Sequence, residues 1–92
     1  MIVGTLKVRL LLREARSLKD KRQVINSIKD RLRNNFNVAV AEVAELDNRQ
    51  VAVLGIATIG NETHHLKKVL GQIVEVLRTH PVAELIGQEL DV

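Results

Sequence analysis

The chain has 92 residues, 46% apolar and 27% charged, with no cysteine, tryptophan or tyrosine. That length holds one two-layer core but no deep cleft between domains, and the composition excludes a disordered chain, disulfide or thiolate chemistry and a membrane span of ~20 apolar residues. The net charge of +3 conceals a polar distribution: the first 36 residues carry ten bases against three acids, and the remaining 56 carry four bases against eight acids.

Ile2, Gly4, Leu6, Val8, Leu10 and Leu12 alternate with Val3, Thr5, Lys7, Arg9, Leu11 and Arg13, which predicts a first strand with one apolar and one basic face. This strand begins at once, without the charged, apolar and cleavage regions of a signal peptide, so the cytoplasm is the expected compartment. Leu18, Val24, Ile25, Ile28, Leu32 and Phe36 recur at helical spacing and predict a helix over Leu18–Asn35, with Ser17 as N-cap and Asp20 completing a capping box. Val38–Leu46 and Val51–Ile59, joined through Asp47-Asn48, form a β-hairpin. Leu66, Val69, Leu70, Ile73, Val76 and Leu77 mark a second helix that stops before Pro81, and Val82–Val92 is the last strand.

The order β-α-β-β-α-β in a single domain spanning 1–92 is the α+β, ferredoxin-like split βαβ arrangement. Right-handed crossovers give a four-stranded antiparallel sheet of order 4-1-3-2 with two helices on one face. The even-numbered residues of the first strand then meet the helices, and Lys7, Arg9 and Arg13 lie on the open face.

The segments Ser17-Leu18-Lys19-Asp20-Lys21-Arg22, Ile28-Lys29-Asp30-Arg31-Leu32-Arg33, Phe36-Asn37-Val38 and Ala41-Glu42-Val43 resemble the YlxP-like family of small bacterial proteins, a domain of unknown function, and the likeness covers essentially the whole chain. The resemblance implies a ferredoxin-like fold. Because family members tend to be encoded beside translation and ribosome-maturation factors, it also implies a role around RNA or the ribosome. This chain departs from the family pattern at Arg49, where members carry a Trp, so an aromatic contact at the hairpin turn is not expected here.

On a helical wheel Lys19, Arg22, Asn26, Lys29 and Arg33 fall within about 80° of one another, apart from the apolar stripe. A ridge of that kind, roughly 20 Å long, matches several consecutive phosphates, and arginine forks bind them bidentately. The competing account is an ordinary solvated helix face, with Asp30 pairing locally to Arg33 or Asn26. Lys21 falls inside the apolar stripe between Leu18 and Ile25. Two fates suit it: its stem snorkels past the sheet edge, or with Arg16 and Arg22 it forms a phosphate site at the helix N-terminus. The expected nucleic-acid contacts are therefore Arg16, Lys19, Lys21, Arg22, Lys29 and Arg33.

The open sheet face lacks the aromatics on which RNA-recognition domains of this topology stack bases. Its Val3, Thr5 and Leu11, with Lys7, Arg9 and Arg13 available to acids such as Glu89 or Asp91, suit a surface for association with a protein or a second copy. Catalytic patterns are weaker. His64 and His65 are adjacent with Lys68, not His, four residues on, which is not metal-ligand spacing. Gly55, Gly60, Gly71 and Gly87 make no phosphate loop, and Ser17 serves as a cap before it could serve as a nucleophile. Metal-carrying proteins of this topology use a Cys pair, and the acylphosphatase type uses a Gly-rich arginine loop where this chain has Glu14-Ala15-Arg16-Ser17. The expected function is a small cytoplasmic RNA- or ribosome-associated binding protein without cofactor. The alternative is a homo-oligomeric, most simply dimeric, or protein-binding module using the sheet face.

Overall fold

A computed structural model describes every residue from Met1 to Val92. The elements run β1 (Ile2–Leu11), α1 (Leu18–Asn35), β2 (Ala39–Ala44), β3 (Val51–Gly60), α2 (Thr63–Arg78) and β4 (Glu84–Asp91). They build one four-stranded sheet in the order β2-β3-β1-β4, the expected order read from its other edge. β1 is central: it pairs antiparallel with β3 from Ile2 opposite Gly60 to Leu11 opposite Val51, and with β4 from Thr5 opposite Asp91 to Leu11 opposite Glu84.

The period-two pattern of β1 decides which face is covered. Leu6, Val8, Leu10 and Leu12 cluster with Ile25, Ile28 and Leu32 of α1 and with Leu70, Ile73, Val74 and Leu77 of α2. The odd-numbered Val3, Thr5, Lys7 and Arg9 remain exposed. Both helices therefore lie on one face and the other is open. Of the residues expected in this core, Leu18 and Val69 are only half-buried, and Val74 is fully buried beside the half-buried Val76.

Several strand boundaries fall elsewhere than the hydrophobic pattern predicts. β2 is shorter than Val38–Leu46 because its register shifts between Glu42 and Ala44 and Glu45 turns out of the strand with a left-handed φ of 56°. The turn is then closed by Asn48, whose Oδ1 accepts from the backbone N–H of Gln50 and of Val51. β4 begins at Glu84 instead of Val82 because His80 Nδ1 accepts the N–H groups of Val82 at 3.2 Å and Ala83 at 3.1 Å, holding them out of the ladder. β1 stops at Leu11, short of Leu12 and Arg13.

Candidate nucleic-acid interface

α1 starts where a serine can satisfy its free N–H groups. Ser17 Oγ accepts from Asp20 N at 3.1 Å, and the Asp20 carboxylate in turn accepts from Arg16 N at 3.0 Å, one residue upstream of the usual reciprocal bond. With the helix phased in this way and Ile25, Ile28 and Leu32 turned to the sheet, Lys19, Arg22, Asn26 and Arg33 come out exposed and Lys29 half-buried. Arg16 is exposed in the loop just before the helix.

Four ion pairs occur in the molecule: Arg9 with Glu45, Arg13 with Glu84, Lys21 with Glu42 and Arg78 with Glu75. None involves Arg16, Lys19, Arg22, Lys29, Arg31 or Arg33. The local pairing of Asp30 with Arg33 that would neutralise a merely solvated face is not formed. Arg33 instead donates one guanidinium N–H to the carbonyl of Val40 at 2.9 Å, which places the C-terminal end of the ridge over β2, an edge strand of the sheet.

Lys21 does not belong to this surface, and neither fate expected for it is observed. Its side chain is 1% exposed, and Nζ lies 2.8 Å from Glu42 Oε2. It also donates to the carbonyls of Glu45 at 2.9 Å and Val51 at 3.1 Å, with that of Leu46 at 3.5 Å. The ammonium cannot reach solvent or a phosphate, because it is inserted under the β2–β3 turn and fastens that turn to the first turn of α1. Glu42 Oε2 is itself sealed from water and has no aligned hydrogen bond, so the charge of Lys21 is what answers it. Sequence reasoning missed Glu42. The signal was there: Glu42 has the parity of Val40 and Ala44 on β2, which turns its carboxylate to the helix side, where a lysine already interrupts the apolar stripe of α1.

The remaining bases divide by partner. Arg13 and Arg78 line the largest concavity, 520 Å³ between the β1–α1 loop and the α2–β4 turn, where each already has an acid. His80 lines it too, with its pKa held below 6.5 by burial and by the Arg31 guanidinium. On the open face Arg9 pairs with Glu45 and not with an acid of β4, and Lys7 forms no ion pair although Glu89 is its cross-strand neighbour. Beside Lys7 lies a shallow apolar trough of 380 Å³ lined by Ala39, Ala41, Val43 and Ala57, with Val3, Val43 and Ile59 exposed by 49%, 53% and 57%.

This architecture is a ferredoxin fold. It matches the solution NMR structure of a de novo designed protein with that fold at a TM-score of 0.60 and 13% identity, over 100% of this chain and 87% of the designed one. The model of the family described as protein of unknown function DUF503 matches residues 3–90, and the chain belongs to that family. It is 29% identical over 83 residues to the uncharacterized protein YlxP of Bacillus subtilis (strain 168), covering 90% of each chain.

Proposed function

We propose that this protein is a small cytoplasmic RNA- or ribosome-associated binding protein that acts without a cofactor and without catalysis, and that its contact surface is the basic side of α1 with Arg16, Lys19, Arg22, Lys29 and Arg33. The observation that carries this reading is that these five bases, none with an acid partner, gather on and beside one side of α1, whereas the other unpaired bases, Lys7, Arg31, Arg49, Lys67 and Lys68, are distributed over β1, the far side of α1, the β2–β3 turn and α2. Unpaired cations at helical spacing keep a counterion demand that a polyanion meets, and release of the polyanion's own counterions drives the association. Lys21 has no part in the contact.

The aromatic content makes the test inexpensive. With no Trp or Tyr the protein contributes almost no absorbance at 280 nm. Protein purified at low salt should carry a nucleic-acid spectrum that a high-salt wash removes, and the triple variant Lys19→Gln, Arg22→Gln, Lys29→Gln should not. Nucleic-acid-free wild type that also fails to bind added RNA at ~50 mM salt would reject the proposal.

A second reading is favoured by the apolar trough and the exposed Val3, Val43 and Ile59: a homodimer through the open sheet face. It is compatible with RNA binding, since the helices lie on the opposite face.

A further inference from the structure

The ridge on α1 is not a uniform row of cations. Lys19 and Arg22 form one pair, Lys29 and Arg33 form another, and Asn26 stands between them. At a rise of about 1.5 Å per residue the pair centres lie about 16 Å apart along the helix axis, with Asn26 about 8 Å from each. Of the three asparagines of this helix, Asn26, Asn34 and Asn35, only Asn35 uses its amide within the protein, giving its Nδ2 to the carbonyl of Arg31. The Asn26 amide is exposed and bonds to no group of the protein. Arg33 is aimed by its bond to Val40 O, which leaves most of its five N–H donors free.

These positions sit on one rigid element, so the cations are offered at fixed intervals. A single strand would have to be ordered to meet them, and proteins that hold single strands compensate by stacking bases on aromatic rings. Phe36 is the one residue among Phe, Tyr and Trp, and it packs against the core. A duplex needs neither aid, because its phosphates are already fixed along both borders of a groove. The minor groove of A-form RNA is wide and shallow and displays ribose 2′-hydroxyls, each both donor and acceptor, which a carboxamide can meet in either sense.

We propose that the site takes double-stranded RNA, with α1 lying across the minor groove. Lys19 and Arg22 contact phosphates of one strand, Lys29 and Arg33 contact those of the other, and Asn26 contacts 2′-hydroxyls between them. The proposal rests on the RNA-binding role proposed above and adds to it the form of the nucleic acid and the residue that distinguishes RNA from DNA.

Fluorescence anisotropy with three labelled probes of one sequence tests it: an RNA duplex of about 16 base pairs, the single-stranded RNA and the DNA duplex, each against wild type and Asn26→Ala. Thermal unfolding confirms that the variant is folded. Wild type should bind the RNA duplex about 10-fold more tightly than either other probe. The variant should lose about 5-fold on the RNA duplex, the size of one hydrogen bond, and nothing on the DNA duplex. Its salt dependence should stay as in wild type, because asparagine neutralises no phosphate. Single-stranded RNA bound as tightly as the duplex would overturn this proposal and leave RNA binding standing. An unchanged affinity of Asn26→Ala, or an equal loss on RNA and DNA, would overturn the role of Asn26. No binding to any probe at low salt would overturn both this proposal and the RNA-binding role.

Discussion

A lysine ammonium among aliphatic side chains is stable only while its charge and its N–H groups are answered, and at Lys21 the answer comes from Glu42 and two turn carbonyls. Removing one partner leaves the others buried and unmatched. Lys21→Met should therefore destabilise the fold by about 3 kcal/mol, the low end for a broken buried pair because Glu42 keeps some contact with water. Adding Glu42→Leu should recover part of that loss, since it removes the stranded carboxylate but not the unpaired carbonyls. Denaturant unfolding of the two variants measures both effects, and additive losses would show that the pair is not coupled. His80 provides a second test at this scale. Its Nδ1 accepts two backbone N–H groups, which requires the unprotonated ring, and its pKa in the fold lies below 6.5 through burial and Arg31. The associated stability is complete above pH 6.5 and is lost as the pH falls from there through the folded-state pKa. Wild type should lose more stability between pH 7.5 and pH 5 than His80→Gln, as read by thermal unfolding at the two pH values, and parallel losses would contradict the assignment.

The elements themselves were legible wherever periodicity and capping agreed. β1 shows an unbroken alternation and α1 a stripe bounded by Ser17, and the observed limits Ile2–Leu11 and Leu18–Asn35 follow those patterns to within two residues. The cap can be tested separately from the ridge. Ser17→Ala removes the acceptor of Asp20 N–H and should cost about 1 kcal/mol in chemical denaturation. Boundaries set by side chains acting on distant backbone were not legible. Glu45 leaves β2 because Lys21, 24 residues earlier, gathers the turn carbonyls, and Val82 is kept out of β4 by a ring nitrogen that acts as acceptor. Hydrophobic pattern does not register either effect. The ridge was legible for the same reason as α1, since one helical phase assigns Lys19, Arg22, Lys29 and Arg33 to solvent. Lys21 was misassigned because the wheel gives its direction but not the carboxylate waiting across the interface.

For the whole molecule, the uneven charge becomes a division of surfaces. Arg9, Arg13 and Arg78 are paired with acids, the bases on the ridge of α1 are not, and the open sheet face combines an apolar trough with an unpaired Lys7. If a second copy covers that face, Ala41→Arg, placed on an exposed position of the trough, should convert a dimer to a 10.3 kDa monomer in sedimentation without altering the helices. A wild type that sediments as a monomer throughout the micromolar range would remove the dimer. The central claim, that α1 is the contact with RNA, is tested most directly by titrating a labelled structured RNA across a salt series. Three to five neutralised phosphates predict a log–log slope of about −2 to −4 for wild type. Lys19→Gln, Arg22→Gln, Lys29→Gln should bring it about 2 units closer to zero and weaken binding at every salt concentration, while Lys67→Gln, Lys68→Gln should leave slope and affinity nearly unchanged. Identical slopes and affinities for wild type and the α1 variant would contradict the account.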